Sequence, residues 1–289
     1  MHIWIKKHSP PEFSFSGKPF LWISLLLCCL SFSASLQAQT RSLSLRLGPG
    51  SYARQDQIFS PFVHQDWSLA NLSFQYDWGK KNDQFGAFEF GSYNPILVPS
   101  YAYGDEGDVT YPHNFTLVNL TYGFGKRLQI PKENHKLTLG GFFETDVQAA
   151  TYNYGWVGNF GYLAPFSIGA WGEYQYAIDS KNQLTGKLLL PVVSLVARSP
   201  YLVNDDPFIE NTYSHNGFKT FFAYLEDGHV QTWNKIQQLE MQLGYQHMLS
   251  SSWSIGGVYA FRFQHVAQPL PFISYRNTFY LQISRNFGS

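Results

Sequence analysis

The sequence has little charge, and after its first 38 residues it has no cysteine and no long hydrophobic run. Its 2 cysteines are Cys28 and Cys29, and charged residues make up only 14% of its 289 residues. The rest of the chain therefore has no thiol for a disulfide or a cysteine nucleophile. It also lacks the ~20 consecutive apolar residues that a membrane-spanning helix needs. Because basic and acidic residues nearly balance, we expect no nucleic-acid partner.

The first 38 residues have the order of regions that is typical of a secretory signal peptide. Basic residues up to Lys18 precede an apolar stretch from Phe20 to Leu30, and the segment ends in the small residue Ala38. We expect cleavage after Ala38, with residues 1–38 as signal peptide and 39–289 as a single mature domain. A retained anchor and a lipoprotein acylated at Cys28 are the alternatives.

Aromatic residues and glycine are abundant instead, and apolar residues recur at every second position. Phe, Trp and Tyr make up 18% of the chain, and glycine occurs 24 times. Leu72, Phe74 and Tyr76 alternate with polar residues such as Gln75, which is the period of a β-strand with two unlike faces. Every backbone N–H and C=O must be paired in lipid, so a spanning protein without apolar helices has to be a closed barrel. The sequence therefore predicts an all-β fold, a transmembrane antiparallel barrel with its apolar faces toward lipid.

The connections between the predicted strands alternate in length. Short polar turns such as 79–83 and 179–182 alternate with longer segments such as 48–63, 94–114 and 199–230. Bacterial barrels have an even number of strands, short periplasmic turns and long extracellular loops. We therefore predict an up-and-down barrel of about 10 strands with both termini periplasmic, and a bulge at Pro191, which lacks a ladder donor. The predicted strands are 41–48, 64–78, 84–93, 115–127, 136–149, 164–178, 183–197, 231–247, 253–265 and 274–287.

Inward-facing positions of these strands carry charges of both signs. A bore of about eight strands is filled by side chains, whereas open aqueous channels appear at roughly 16–18 strands. Charges in such a narrow interior are tolerated only when they pair or stay hydrated. We expect a polar plug of paired charges, with a narrow ion or solute path as the alternative. The predicted network consists of Glu89, Glu144, Glu173, Lys187, Glu240, Arg262 and Arg276.

The fourth long loop ends in Asp227-Gly228-His229. A carboxylate two residues from a histidine can orient the ring and raise its basicity for activating water. This pair resembles the Asp-x-His half of the site of the omptin proteases, which are ten-stranded outer-membrane barrels. The resemblance implies a protease site completed by a second acidic pair, for which Asp105 and Asp108 in the second long loop are the candidates, although their spacing differs.

The third long loop, predicted at 150–163, is rich in aromatic residues and has no charge. Rigid aromatic side chains are favoured in binding surfaces, and they also form girdles at lipid headgroups. Both interpretations stay open. The residues concerned include Tyr152, Tyr154, Trp156 and Tyr162.

The whole pattern predicts a protein of the bacterial outer membrane. Expected partners are outer-membrane lipid, lipopolysaccharide and the barrel-assembly machinery, which would recognise the alternating C-terminal strand that ends at Phe287. We expect no cofactor, and the His and carboxylate spacings give no zinc site. A surface-binding or structural role through long extracellular loops is favoured over an enzyme. An omptin-like or other outer-membrane hydrolase, and a narrow channel or transporter, are the alternatives.

Overall fold

Antiparallel β-strands make up most of the computed structural model, which describes residues 40–79, 82–95, 101–103, 108–110, 112–131, 133–154, 157–199, 225 and 228–287. No helix in these ranges is long and apolar enough to cross a membrane. The strands are β1 (Thr40–Asp56), β2 (His64–Gly79), β3 (Asn82–Tyr93), β4 (Tyr101–Tyr103), β5 (Asp108–Thr110), β6 (His113–Leu128), β7 (His135–Tyr154), β8 (Val157–Ala177), β9 (Asn182–Arg198), β10 (His229–Thr232), β11 (Ile236–Met248), β12 (Trp253–Val266) and β13 (Phe272–Phe287).

The sheet closes on itself into the predicted ten-stranded antiparallel barrel. Pairing continues from β11 through β12, β13, β1, β2, β3, β6, β7 and β8 to β9, which pairs with β11 again. β10 precedes β11 in the same position of the wall and pairs with the outer part of β9. β4 and β5 form a separate hairpin. Closure removes the free strand edges that lipid could not satisfy.

Alternate residues face lipid and the barrel interior, as predicted. On β13, Phe279 and Leu281 are 62% and 76% exposed, whereas Gln282 is buried. On β11, Tyr245 is exposed and Glu240 is buried. A register slip of one residue would exchange the two faces of a strand, so this pattern fixes the register.

The bulge predicted at Pro191 is confirmed. Pairing of β8 with β9 moves from Ile168 opposite Val193 to Gly169 opposite Pro191, which leaves Val192 as the extra residue. The missing N–H of proline explains why the ladder is interrupted there.

The predicted loops at 48–63 and 150–163 are wrong in part, because strands continue into both. β1 extends to Asp56, and β7 and β8 pair as far as Tyr154 opposite Val157. The outward residues of the β1 and β7 extensions are polar or small, for example Ser51 and Gln55. Beyond the lipid a strand still needs its backbone ladder but no apolar outer face, so the alternation that marks a strand in lipid is lost.

Candidate functional site in the barrel interior

In the middle of the barrel interior, the guanidinium group of one arginine joins carboxylates from two other strands. Arg262 of β12 contacts Glu144 of β7 at 2.8 Å and Asp146 at 3.5 Å, and it also pairs with Glu240 of β11. β12 and β7 lie on nearly opposite sides of the ring of strands. These contacts therefore span the interior, and the structure brings Arg262, Glu144 and Glu240 of the predicted network together.

A second ion pair lies beside this group. Arg276 of β13 donates from Nη2 to Glu89 Oε2 of β3 at 2.8 Å, and both side chains are buried. Nearby on β1, Arg46 donates to Gln282 at 2.7 Å and to Gln242 at 3.2 Å. Each of these bonds joins side chains from different strands, so side chains of the sequence-distant strands β1, β3, β11 and β13 meet inside the barrel.

The remaining two network residues lie on β8 and β9. Glu173 and Lys187 are paired in the register of these strands. Lys187 is buried, and its Nζ lies 3.1 Å from the ring centroid of Phe85, whereas Glu173 accepts a hydrogen bond from Gln175 at 2.5 Å. The structure thus places these two charges next to each other along the wall, apart from the contacts of Arg262 and Arg276.

At the long-loop end of the interior, two buried arginines share one carboxylate. Asp56 accepts from Arg54 Nη2 at 2.7 Å and from Arg198 Nη2 at 2.6 Å. Arg198 also donates to the backbone carbonyls of Gln268 and Leu270. This cluster, here called the outer clamp, joins the ends of β1 and β9 to the segment between β12 and β13.

Aromatic rings enclose the outer clamp. The Arg54 guanidinium lies 4.9 Å from the ring centroid of Phe272 and 5.3 Å from that of Phe115. Tyr52 and Tyr152 pack against Phe115, each at 5.6 Å between ring centroids. One carboxylate balances only one of two guanidinium charges, so the faces of these rings supply part of the stabilisation of the second.

A carboxylate and a histidine form a pair next to these rings. His113 Nε2 and Asp66 Oδ1 are 2.7 Å apart, and the His64 ring contacts the His113 ring edge-on at 4.5 Å between centroids. His64 and Asp66 lie on β2, and His113 begins β6. Asp66 is 0% exposed and His113 is 7% exposed.

The pair has half of the arrangement that general-base catalysis uses, since a carboxylate orients the imidazole. A hydrolase also needs space for water and a scissile bond beside the ring. Here the His113 ring stacks on Phe115 at 5.2 Å between centroids. Within the described ranges, no group of three or more His, Cys, Asp or Glu side chains could hold a metal ion. The burial and stacking of the His113 ring therefore fit a structural contact better than a catalytic base.

The residues of the predicted protease site are mostly outside the described residues. Asp105 and Asp227 are not among the residues that the structure describes. Asp108 begins β5, where the backbone alone is described, and His229 begins β10 with an exposed side chain opposite Val196. Convergence of the four residues therefore stays a prediction.

The aromatic residues of the predicted third loop divide in the same way. Trp156 and the side chain of Tyr154 lie outside the described residues. Tyr152 and Tyr162 are buried, and the Tyr152 ring stacks on Phe59 at 5.3 Å between centroids. For Tyr152 the girdle interpretation is wrong, because this residue takes an inward position on β7. Tyr162 lies on the outer face of β8, where its ring packs in a cluster of apolar side chains, and for it both interpretations stay open.

Sequence reasoning missed the outer clamp and the Asp66–His113 pair. Arg54 and Asp56 fall in the loop predicted at 48–63, and Asp66 and His113 are 47 positions apart with no motif joining them. One signal was available, since charged residues at alternate positions just outside an apolar stretch indicate that the strand continues with its inward face polar.

No protein-family model and no curated protein matches the chain. Among solved structures, the outer-membrane protease OmpT from Escherichia coli is similar with a TM-score of 0.50 and 8% identity, over 88% of this chain and 99% of that chain. Neisserial surface protein A gives a TM-score of 0.36 and 8% identity, over 86% and 97% of the two chains. Ail of Yersinia pestis gives 0.31 and 11%, over 87% and 100%. At 8% identity, the likeness to OmpT shows the fold alone.

Proposed function

We propose that this chain, which has the fold of bacterial outer-membrane β-barrels, is a surface-binding or structural protein whose filled barrel presents its outer segments. The fold supports a location in the bacterial outer membrane. Residues 1–38 are the proposed signal peptide, and outer-membrane lipid and lipopolysaccharide are the surroundings we infer.

The filled interior is the observation that carries the proposal. The contacts of Arg262 with Glu144 and Glu240 cross the bore, and the outer clamp with its rings occupies the long-loop end. A bore that is packed in this way is rigid and leaves no wide aqueous path. The network predicted from the sequence is therefore proposed to act as a plug.

Exposed apolar residues at the long-loop end favour binding. Phe62 and Val63, in the turn between β1 and β2, are 73% and 64% exposed. Adjacent apolar side chains on a solvent-facing turn are typical of a contact surface for another protein. Of the aromatic residues in the third long loop, Tyr154 and Trp156 are proposed to contribute to the same contact surface.

Adhesion of fluorescent proteoliposomes to a broad panel of immobilised proteins tests this proposal. We expect the double variant Phe62→Ser, Val63→Ser to bind severalfold less than the wild type. Leu249→Ser is the matched control, since Leu249 is equally exposed in a short turn at the other end of the barrel. Equal adhesion of all three proteins, or none above empty liposomes, would reject the binding role.

A hydrolase is the second candidate, and the Asp66–His113 pair at 2.7 Å is the observation that favours it. Purified barrel incubated with mixed peptides and phospholipids should show no turnover, because the His113 ring is buried. Robust cleavage that is abolished by His113→Ala or by His229→Ala would replace the binding proposal with an enzyme.

The barrel-assembly machinery is a further proposed partner. Leu281, Ile283 and Phe287 form the exposed face of the last strand, which is the kind of alternating C-terminal end that we expect the machinery to recognise. Deletion of residues 285–289 should leave the protein unfolded in the periplasm. Recovery of normally folded barrel from outer membranes would reject this role.

A further inference from the structure

A groove on the lipid-facing surface crosses β11, β12 and β13. Gly257 of β12 lies opposite Tyr245 of β11 and Leu281 of β13, and directly opposite residues of antiparallel strands share a face. Because Gly257 has no side chain, the exposed neighbours Tyr245, Leu281 and Phe279 enclose a depression of about 550 Å³. Its size is within the ~300–1,000 Å³ of typical ligand pockets.

The lining of the groove is almost wholly apolar. Leu243, Tyr259 and Phe279 continue it toward the middle of the barrel wall, and Pro49 closes it on the side of β1. The phenol of Tyr259 donates to Asn277 at 2.8 Å, and that of Tyr245 donates to Asn182 at 2.6 Å. Since both phenols have partners on the protein, the groove presents hydrocarbon and ring carbon to an occupant.

Cationic side chains lie beyond the short-turn end of the groove. Asn182, the partner of the Tyr245 phenol, begins β9 directly after the turn that contains exposed Lys181. On the other side, Arg285 follows Leu281 by four positions of β13, with its guanidinium 5.6 Å from the Trp253 ring centroid. At ~3.3 Å per residue, both charges lie roughly 10–13 Å along the strands from the centre of the groove. An apolar slot that ends at two cations is complementary to an acyl chain attached to an anionic headgroup.

We propose that this groove is a specific phospholipid site of the periplasmic leaflet. One acyl chain lies over Gly257, between the aromatic side chains, and the phosphate reaches Lys181 and Arg285. The short turns of an outer-membrane barrel face the periplasm, and the groove opens toward them. That leaflet contains phospholipid rather than lipopolysaccharide, which identifies the occupant.

Native mass spectrometry of the mature barrel, purified in mild detergent from outer membranes, tests the site with two glycine variants. A Cβ at Gly257 would meet nothing closer than 3.8 Å, and one at Gly141, which is also exposed on the outer face, nothing closer than 3.6 Å. Both sites therefore accept a side chain without backbone strain. We expect phospholipid adducts on the wild type and on Gly141→Phe, with an at least fivefold loss on Gly257→Phe, whose ring fills the groove.

The headgroup contact is tested separately by exchange into phosphatidylglycerol and phosphatidylcholine. The double variant Lys181→Gln, Arg285→Gln should lose its preference for phosphatidylglycerol while it retains adducts of both lipids. Equal amounts of phospholipid adduct on the wild type, Gly141→Phe and Gly257→Phe would overturn the proposal. Retention of lipopolysaccharide in place of phospholipid would also overturn it. Dimers of the wild type that are absent from Gly257→Phe would also overturn it, because a second copy would then occupy the groove.

Discussion

Arginine determines how the interior of this barrel is filled. Arg54, Arg262 and Arg276 stay charged at any ordinary pH and present several N–H donors in a plane. Arg262 contacts three carboxylates, Arg276 contacts one, and Arg54 shares Asp56 with Arg198. Since a buried charge without its partner is strongly destabilising, the single carboxylate of the outer clamp is the residue on which most depends.

Substitution of Asp56 by Asn tests this dependence. The variant leaves two guanidinium groups without a counter-charge, and we expect a loss of roughly 3–5 kcal/mol in the free energy of unfolding. Urea unfolding in lipid vesicles, followed by tryptophan fluorescence, measures it. Arg127→Gln is the control, because it breaks an exposed ion pair with Asp83 that is worth about 0–1 kcal/mol. Similar losses in the two variants would contradict the role of the clamp.

At the scale of strands, the sequence predicts the parts of each strand that face lipid, because only there must apolar residues alternate with polar ones. The faces of β11 and β13 could be read because lipid demands apolar residues at alternate positions, as Tyr245 and Leu281 illustrate. The outer ends of β1 and β7 could not, since the outward residues there are polar or small and give no apolar alternation. The same limit applies to the site: Arg262 lies in a well-patterned strand and was assigned inward, whereas the Asp66–His113 pair depends on the register of β2, β3 and β6 together.

Gly48 shows where a strand pair tolerates no side chain. It lies at the register shift of β1, and a Cβ there would meet the backbone oxygen of Phe279 at 1.8 Å. Gly48→Ala should therefore destabilise the closing β1–β13 pair by roughly 1–3 kcal/mol, as overpacking does. Gly141→Ala, without such a contact, should be within about 0.5 kcal/mol of the wild type. Urea midpoints of the two refolded variants give the comparison, and equal midpoints would refute the clash.

The turn between β8 and β9 depends on one carboxylate. Asp179 accepts from the backbone N–H groups of Lys181 and Asn182 at 2.7 and 2.8 Å. Hydrogen bonds from Asn182 and Lys181 lower the pKa of Asp179 below its ordinary 3.8. A lowered pKa means that the carboxylate stabilises the turn above pH 3.8 and loses this effect as the pH falls through its folded-state pKa.

Amide hydrogen exchange at Lys181 and Asn182 measures that effect. Asp179→Ala should accelerate exchange at both amides at neutral pH, and acidification of the wild type below its lowered pKa should reproduce the change once intrinsic rates are corrected. Asp179→Asn, which retains one acceptor oxygen, should be intermediate. The pH range from about 6 to about 2 covers the titration of an Asp side chain. If the corrected exchange rates of the wild type stay constant over this range, the carboxylate does not stabilise the turn.

For the whole molecule, closure and filling act together. β1 pairs with β13 over most of its length, so the first and last strands of the described chain complete the wall. The ion pairs of Arg262 and Arg276 then join that wall across the bore. A closed wall that is joined across its interior in this way is a stiff support for the segments at its two ends.

Planar-bilayer recording distinguishes this plug from a channel. The wild type should show no steady current, because we expect the contacts of Arg262 and Arg276 to block the middle of the bore. The variant Glu89→Ala, Glu240→Ala, Arg262→Ala, Arg276→Ala removes four long central side chains with no net change in charge, and we expect it to conduct small cations in discrete steps. The conservative exchange Arg276→Lys should stay closed. Large, stable steps from the wild type would show that the interior is open, and would promote the transporter interpretation in place of the surface-binding one.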